Sequence, residues 1–134
     1  MKLRLVFAIA ALWASESAAQ NWVLVAETDD TKFYAIEVVK KLPGNQTRYW
    51  VLYDYKTPRR GLHGDHLSTL GHHVGDCSDE KSRTLSFTDY SGNMNKGSPI
   101  PKPANTITDP EWVYFVPGSP GDKLLKFACS RKPA

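Results

Sequence analysis

The chain holds two cysteines, Cys77 and Cys129, and the pair closes a loop of about fifty residues if it is oxidised. Whether it is oxidised depends on the compartment, which the N-terminus addresses. Lys2 and Arg4 open the chain, residues 5–14 are unbroken apolar, and Ser15-Glu16-Ser17-Ala18-Ala19 follows. Basic, apolar and small residues in that order form a secretory signal peptide, with cleavage expected after Ala19. The apolar run is well short of the ~20 residues that span a bilayer, and no cysteine stands at the cleavage point to carry a lipid. The expectation is an exported domain over residues 20–134, periplasmic or extracellular and not lipid-anchored. In an oxidising compartment an even cysteine pair defaults to a disulfide. The rival, a reactive thiol or metal-ligand pair, lacks the support of a C-x-x-C spacing. By chain entropy such a bridge contributes roughly 4 kcal/mol, against a typical net stability of ~5–15 kcal/mol.

One domain is all that the remaining length supports. Loss of residues 1–19 removes two cations and one carboxylate, so the +3 of the whole chain falls to +2. Arg59-Arg60 is the nearest approach to a basic cluster, which argues against nucleic-acid binding. No second apolar stretch offers a membrane span.

Patterning after Ala19 is that of strands. Residues 22–27 and 33–37, joined by the polar turn 28–32, predict an antiparallel hairpin. Pro43-Gly44-Asn45 marks a turn, and residues 46–56, dense in aromatic and β-branched side chains, form the clearest strand. The segment 57–65, with Pro58, Gly61 and Gly64, reads as a break. Residues 66–77 and 81–90 are further strands, 91–109 an extended loop, and 112–116 a short edge strand. Only the C-terminus looks helical. Ser119 can cap, Pro120 suits the first position, and Asp122 sits where the dipole favours negative charge. At a hundred degrees per residue, Leu124, Leu125, Ala128 and Cys129 share one side, with Asp122, Lys123 and Lys126 opposite. Roughly six short strands plus one terminal helix, whose end a bridge to Cys77 would hold against the strands, make a small α+β, mainly β domain.

Chemistry-bearing motifs are sparse. There is no G-x-S-x-G elbow, H-E-x-x-H or phosphate loop, so the chain reads as non-enzymatic and no cofactor is expected. His63, His66, His72 and His73 read as solvated polar residues. His72 and His73, adjacent in a strand, point to opposite faces and cannot easily share an ion. His63 and His66 stay as candidate binding residues, and no metal site is assigned. Along residues 49–55, Trp50 and Leu52 point one way, and Tyr49, Val51, Tyr53 and Tyr55 the other. The sharper reading turns Trp50 and Leu52 toward the helix, leaving Tyr49, Tyr53 and Tyr55 as an amphipathic recognition surface.

Taken in order, Trp22, Phe33-Tyr34-Ala35-Ile36, Tyr49-Trp50-Val51-Leu52-Tyr53-Asp54-Tyr55-Lys56-Thr57-Pro58, Leu67-Ser68, Asp76-Cys77, Arg83, Tyr90-Ser91-Gly92, Gly97, Trp112, Pro117-Gly118-Ser119 and Cys129 form a set of landmarks. This set resembles the surface-adhesin protein E family of small exported bacterial domains. The resemblance implies a twisted antiparallel sheet of about six strands with a C-terminal helix fixed across it by the Cys77–Cys129 bridge. It also implies a protein partner, either of the host matrix or of the bacterial envelope. A second copy of the chain is another candidate partner. Two other functions stay open: a small-ligand carrier for haem or metal, and a periplasmic enzyme inhibitor.

Overall fold

The computed structural model describes residues 21–61 and 64–131. The expected signal peptide lies outside the described residues, as does His63. Eight strands and one helix are present: β1 (Trp22–Glu27), β2 (Thr31–Ile36), β3 (Lys40–Leu42), β4 (Gln46–Gly61), β5 (Gly64–Asp76), β6 (Lys81–Tyr90), β7 (Pro99–Thr106), β8 (Val113–Tyr114) and α1 (Pro120–Cys129). All strands join one open antiparallel sheet in the order β1-β2-β4-β5-β6-β7. The short β3 pairs with β4, and β8 pairs with β6. The main path thus has the expected six strands, but five are those read from the sequence; the sixth is β7, and the expected edge strand over 112–116 is the short β8 beside β6.

The turns follow local chemistry. Gly44 and Asn45 both adopt positive φ, 77° and 58°, in the tight connection from β3 to β4, a conformation that glycine and asparagine tolerate. Two sequence expectations are corrected. Residues 57–65 do not break the strand: β4 continues to Gly61 and β5 starts at Gly64, with Arg59 opposite His66 and Arg60 opposite Asp65. Pro58 falls within a register shift between Asp54 and Arg59, where the ladder asks no N–H of it. The expected loop over 91–109 contains β7, which pairs only with β6. Prolines at alternate positions 99, 101 and 103 remove N–H groups along one side of the strand, which an edge strand can bear.

The helix reads as its sequence predicts at both ends. Ser119 accepts from the Asp122 backbone N–H, Pro120 occupies the first turn, and the Cys129 carbonyl accepts from Lys41 Nζ at 3.2 Å. Asp122 departs from expectation: it is buried, not solvated. Its carboxylate folds back to accept from the Gly118 N–H at 2.9 Å and from Lys126 Nζ at 3.0 Å, and these bonds hold its pKa below the ordinary aspartate value. Leu124, Leu125 and Ala128 meet Ala35, Val39, Tyr49 and Val51 in the core, and the Cys77–Cys129 disulfide ties the last turn to the end of β5, with a Cα separation of 5.8 Å.

This docking has a steric requirement at Gly75 of β5. A methyl group there would overlap the Leu125 side chain and crowd the Tyr49 ring at 3.2 Å. Gly75→Ala should therefore lower the unfolding free energy in a urea titration by about 1–3 kcal/mol, the usual cost of overpacking. An unchanged midpoint would mean that α1 does not rest on this position.

Candidate functional site

Alternation along β4 sends Tyr49, Tyr53 and Tyr55 to one face, and that face is the one α1 covers. The sequence reading had the orientation reversed. Small residues decide it: Ala35 and Gly71 flank Val51 in register, and Gly75, opposite Thr47, lies diagonally beside the Tyr49 ring and under Leu125. Together they leave a trough for the helix. Tyr49 is 2% exposed, and its hydroxyl pairs with Ser82 Oγ at 2.8 Å. Burial pushes its pKa up to about 12.

Beyond the helix the same face is filled by a polar and aromatic network. His73 stacks on Tyr49 with ring centroids 5.4 Å apart, and its two ring nitrogens lie 3.4 Å from the Tyr53 hydroxyl and 3.1 Å from Thr84 Oγ1. The ring leaves no room for a side chain at Gly71, where a Cβ would stand 2.6 Å from His73 Nε2. Burial, with a smaller contribution from His72, lowers the His73 pKa to about 4. Burial also raises the Tyr53 hydroxyl above the ordinary tyrosine range.

The network continues toward the β4–β5 arm. Tyr55 donates to Thr69 Oγ1 at 2.9 Å, and Thr69 donates to Asp89 at 2.7 Å. His66, 8% exposed, sets Nε2 3.7 Å from the same carboxylate and its ring edge-to-face with Tyr55. The Arg59 guanidinium covers the Tyr55 ring at 4.4 Å and donates to Thr31 Oγ1 at 3.1 Å. Of the five residues singled out in the sequence, Tyr53 belongs to the His73 cluster and Tyr55 and His66 to the Asp89 cluster, whereas Tyr49 lies under the helix and His63 outside the described residues. The expectation of solvated histidines fails for His66 and His73, which aromatic and hydroxyl neighbours enclose.

The opposite face carries no helix. Trp50 is 37% exposed there and stacks on His72 with centroids 3.9 Å apart and planes 7° from parallel. His72 and His73 do face apart, as their adjacency in a strand requires. Burial first, then Arg48, lowers the His72 pKa. On β1, Leu24 is 48% exposed. One end of this face is closed by the segment 91–98: Asn93 Nδ2 and the Met94 N–H donate to Asp54 at 3.0 and 2.8 Å, and Ser68 donates to the Gly92 carbonyl at 2.6 Å. Pattern reading missed that Trp50, like Tyr114, is an exposed aromatic. Its signal was available in the glycines at 71 and 75, which mark the face the helix approaches.

Among the described residues no three His, Cys, Asp or Glu side chains converge as a metal site would require. A family model described as "Surface-adhesin protein E" matches residues 22–130. No curated protein and no solved structure matches the chain.

The buried His73 makes stability depend on pH. Its folded pKa lies below the unfolded value of 6.5, so the unfolded chain takes up the proton first and stability falls as pH drops from 6.5 toward 4. A shift of this size corresponds to about 3 kcal/mol. Asp30 and Asp122, both held below 3.8, add their losses at lower pH. Urea titrations of wild type and His73→Gln at pH 7 and 4.5 should show a smaller decline in the variant, and equal declines would contradict the assignment.

Proposed function

The chain belongs to the surface-adhesin protein E family, and from that premise we propose that it is an exported, non-catalytic binding domain whose partner is a protein of the host matrix or of the bacterial envelope. The family match covers nearly all described residues, so the adhesin character belongs to the whole domain and not to an appended segment. Export, to the periplasm or beyond and without a lipid anchor, rests on the basic, apolar and small order of residues 1–19, which makes 20–134 the mature domain. Among the described residues no helix is long and apolar enough to cross a membrane.

The observation that carries the reading is the exposed apolar pair on the sheet face opposite α1. The helix α1 covers one side of the sheet; on the other side Leu52 and Val74 are buried, whereas Trp50 and Leu24 stay exposed to solvent. Both lie on that face: the row of Leu24 runs through Tyr34 to Leu52, and Trp50 stands two residues along β4 from there, about 12 Å away. Exposed aromatic and aliphatic side chains on a rigid sheet are the usual anchors of an interface. Tyr53, Tyr55 and His66 contribute from behind, because the hydrogen-bonded clusters to which they belong stiffen the β4–β5 arm that borders this face. Thr69 accepts from one neighbour and donates to another, so its hydroxyl is occupied structurally.

Capture of partners from matrix proteins and from an envelope extract tests the proposal. The mature wild-type domain should retain a defined protein, and Leu24→Ser/Trp50→Ser should weaken its binding by roughly tenfold or more with an unchanged melting curve. Binding that ignores both substitutions would remove this face as the site, and no retained protein from either source would overturn the function.

A further inference from the structure

The open face is more cationic than the net charge of the chain implies. Arg48 of β4 and Arg83 of β6 both stand opposite Val74 of β5, so their Cα atoms are about 10 Å apart, two strand spacings. Lys40 of β3 is opposite Arg48 on the other side, and it is exposed. The three residues form a row running across the strands. The buried Nε atoms of Arg48 and Arg83 have no hydrogen-bond partner, and none of the ion pairs among the described residues uses either arginine.

Carboxylates on this face are engaged elsewhere. Asp54 holds the 91–98 segment, and Asp76 accepts from the Ser78 and Asp79 N–H groups at 3.0 and 2.9 Å. Leaving a buried N–H unpaired costs about 1–3 kcal/mol, and the planar fork of a guanidinium matches a sulfate or carboxylate. The row therefore has unmet anion-binding capacity, next to the Trp50 ring.

We propose that the open face binds an acidic polysaccharide, with its sulfate or carboxylate groups on Lys40, Arg48 and Arg83 and a sugar ring against Trp50. The proposal rests on the reading of this face as the binding surface and names the chemistry of what it holds. A linear polyanion fits a straight cationic row, each repeat of the chain offering a further anion. Nucleic acid fits less well, because it binds a sheet through successive stacked bases. Here the Trp50 ring has one face against His72, and Trp112 lies under Lys81 and Arg83, at 4.9 and 4.6 Å. Trp50 keeps 37% of its surface exposed, enough for one sugar ring but not for a run of stacked bases.

Titration of the mature domain with a heparin-derived oligosaccharide, followed by tryptophan fluorescence, tests this. Sulfated oligosaccharide should bind, with affinity that falls as salt rises, and its desulfated, N-acetylated form should bind roughly tenfold more weakly or less. Arg48→Gln/Arg83→Gln should lose roughly tenfold or more in affinity. Lys40→Gln, at an exposed position with no part in the core, should lose a smaller share, and Lys123→Gln on the outer side of α1 should lose none. Equal binding by Lys40→Gln and by the double variant, or equally tight binding of single-stranded DNA or poly-glutamate, would overturn the proposal. Absent glycan binding combined with Trp50-dependent protein capture would overturn it and leave the protein-binding reading standing. Failure of both would remove both.

Discussion

Contact between the terminal helix and the bare backbone at Gly75 is the constraint on which the rest of the structure depends. A ten-residue helix is marginal alone in water, so α1 persists because it is held. Three things hold it: the packing of Leu124, Leu125 and Ala128, the Lys41 bond to the Cys129 carbonyl, and the disulfide. The bridge spans 52 residues, and closing a loop of that length removes roughly 4 kcal/mol of unfolded-state entropy. No other cross-link is present among the described residues. The bridge also fixes direction. By joining the last turn of α1 to the end of β5 it lays the helix over Tyr49 and Val51 and away from Trp50.

That choice gives the two faces different characters. On the helix side, what α1 leaves uncovered is filled by hydroxyls and imidazoles that satisfy one another: Tyr53 with His73, His73 with Thr84, Tyr55 with Thr69, Thr69 with Asp89. A network whose members are paired stiffens the sheet without creating a reactive group. On the other side Trp50 and Leu24 stay exposed, and the Nε atoms of Arg48 and Arg83 have no hydrogen-bond partner. The proposed recognition uses this side, which a rigid sheet presents with little ordering cost.

Much of this was legible in residues. The caps at Ser119 and Pro120, the hairpin turns, the cysteine pairing and the order of landmarks that marks the family all follow from local chemistry, and each has its counterpart in the structure. Period-two alternation separated Trp50 from Tyr49 correctly. It could not say which side the helix would take, because alternation is symmetric between faces. That information sat in Ala35 and Gly75, whose missing bulk matters only once cross-strand register is known. Pro58 and the prolines of β7 misled for a related reason: proline breaks a strand only where its N–H is needed, and neither a bulge nor an outer edge needs it. The histidines looked solvated because enclosure comes from Tyr49, Tyr53 and Tyr55, brought into contact by the β4–β5 ladder.

Hydrogen exchange on the oxidised domain and on a Cys77→Ala/Cys129→Ala variant tests most directly whether the bridge holds the helix on its face. The amides of α1 should lose most of their protection when the bridge is removed, with Tyr49 and Val51 next, whereas β5 and β6 amides distant from the helix remain slow. Protection of α1 that is the same with and without the bridge would contradict the account.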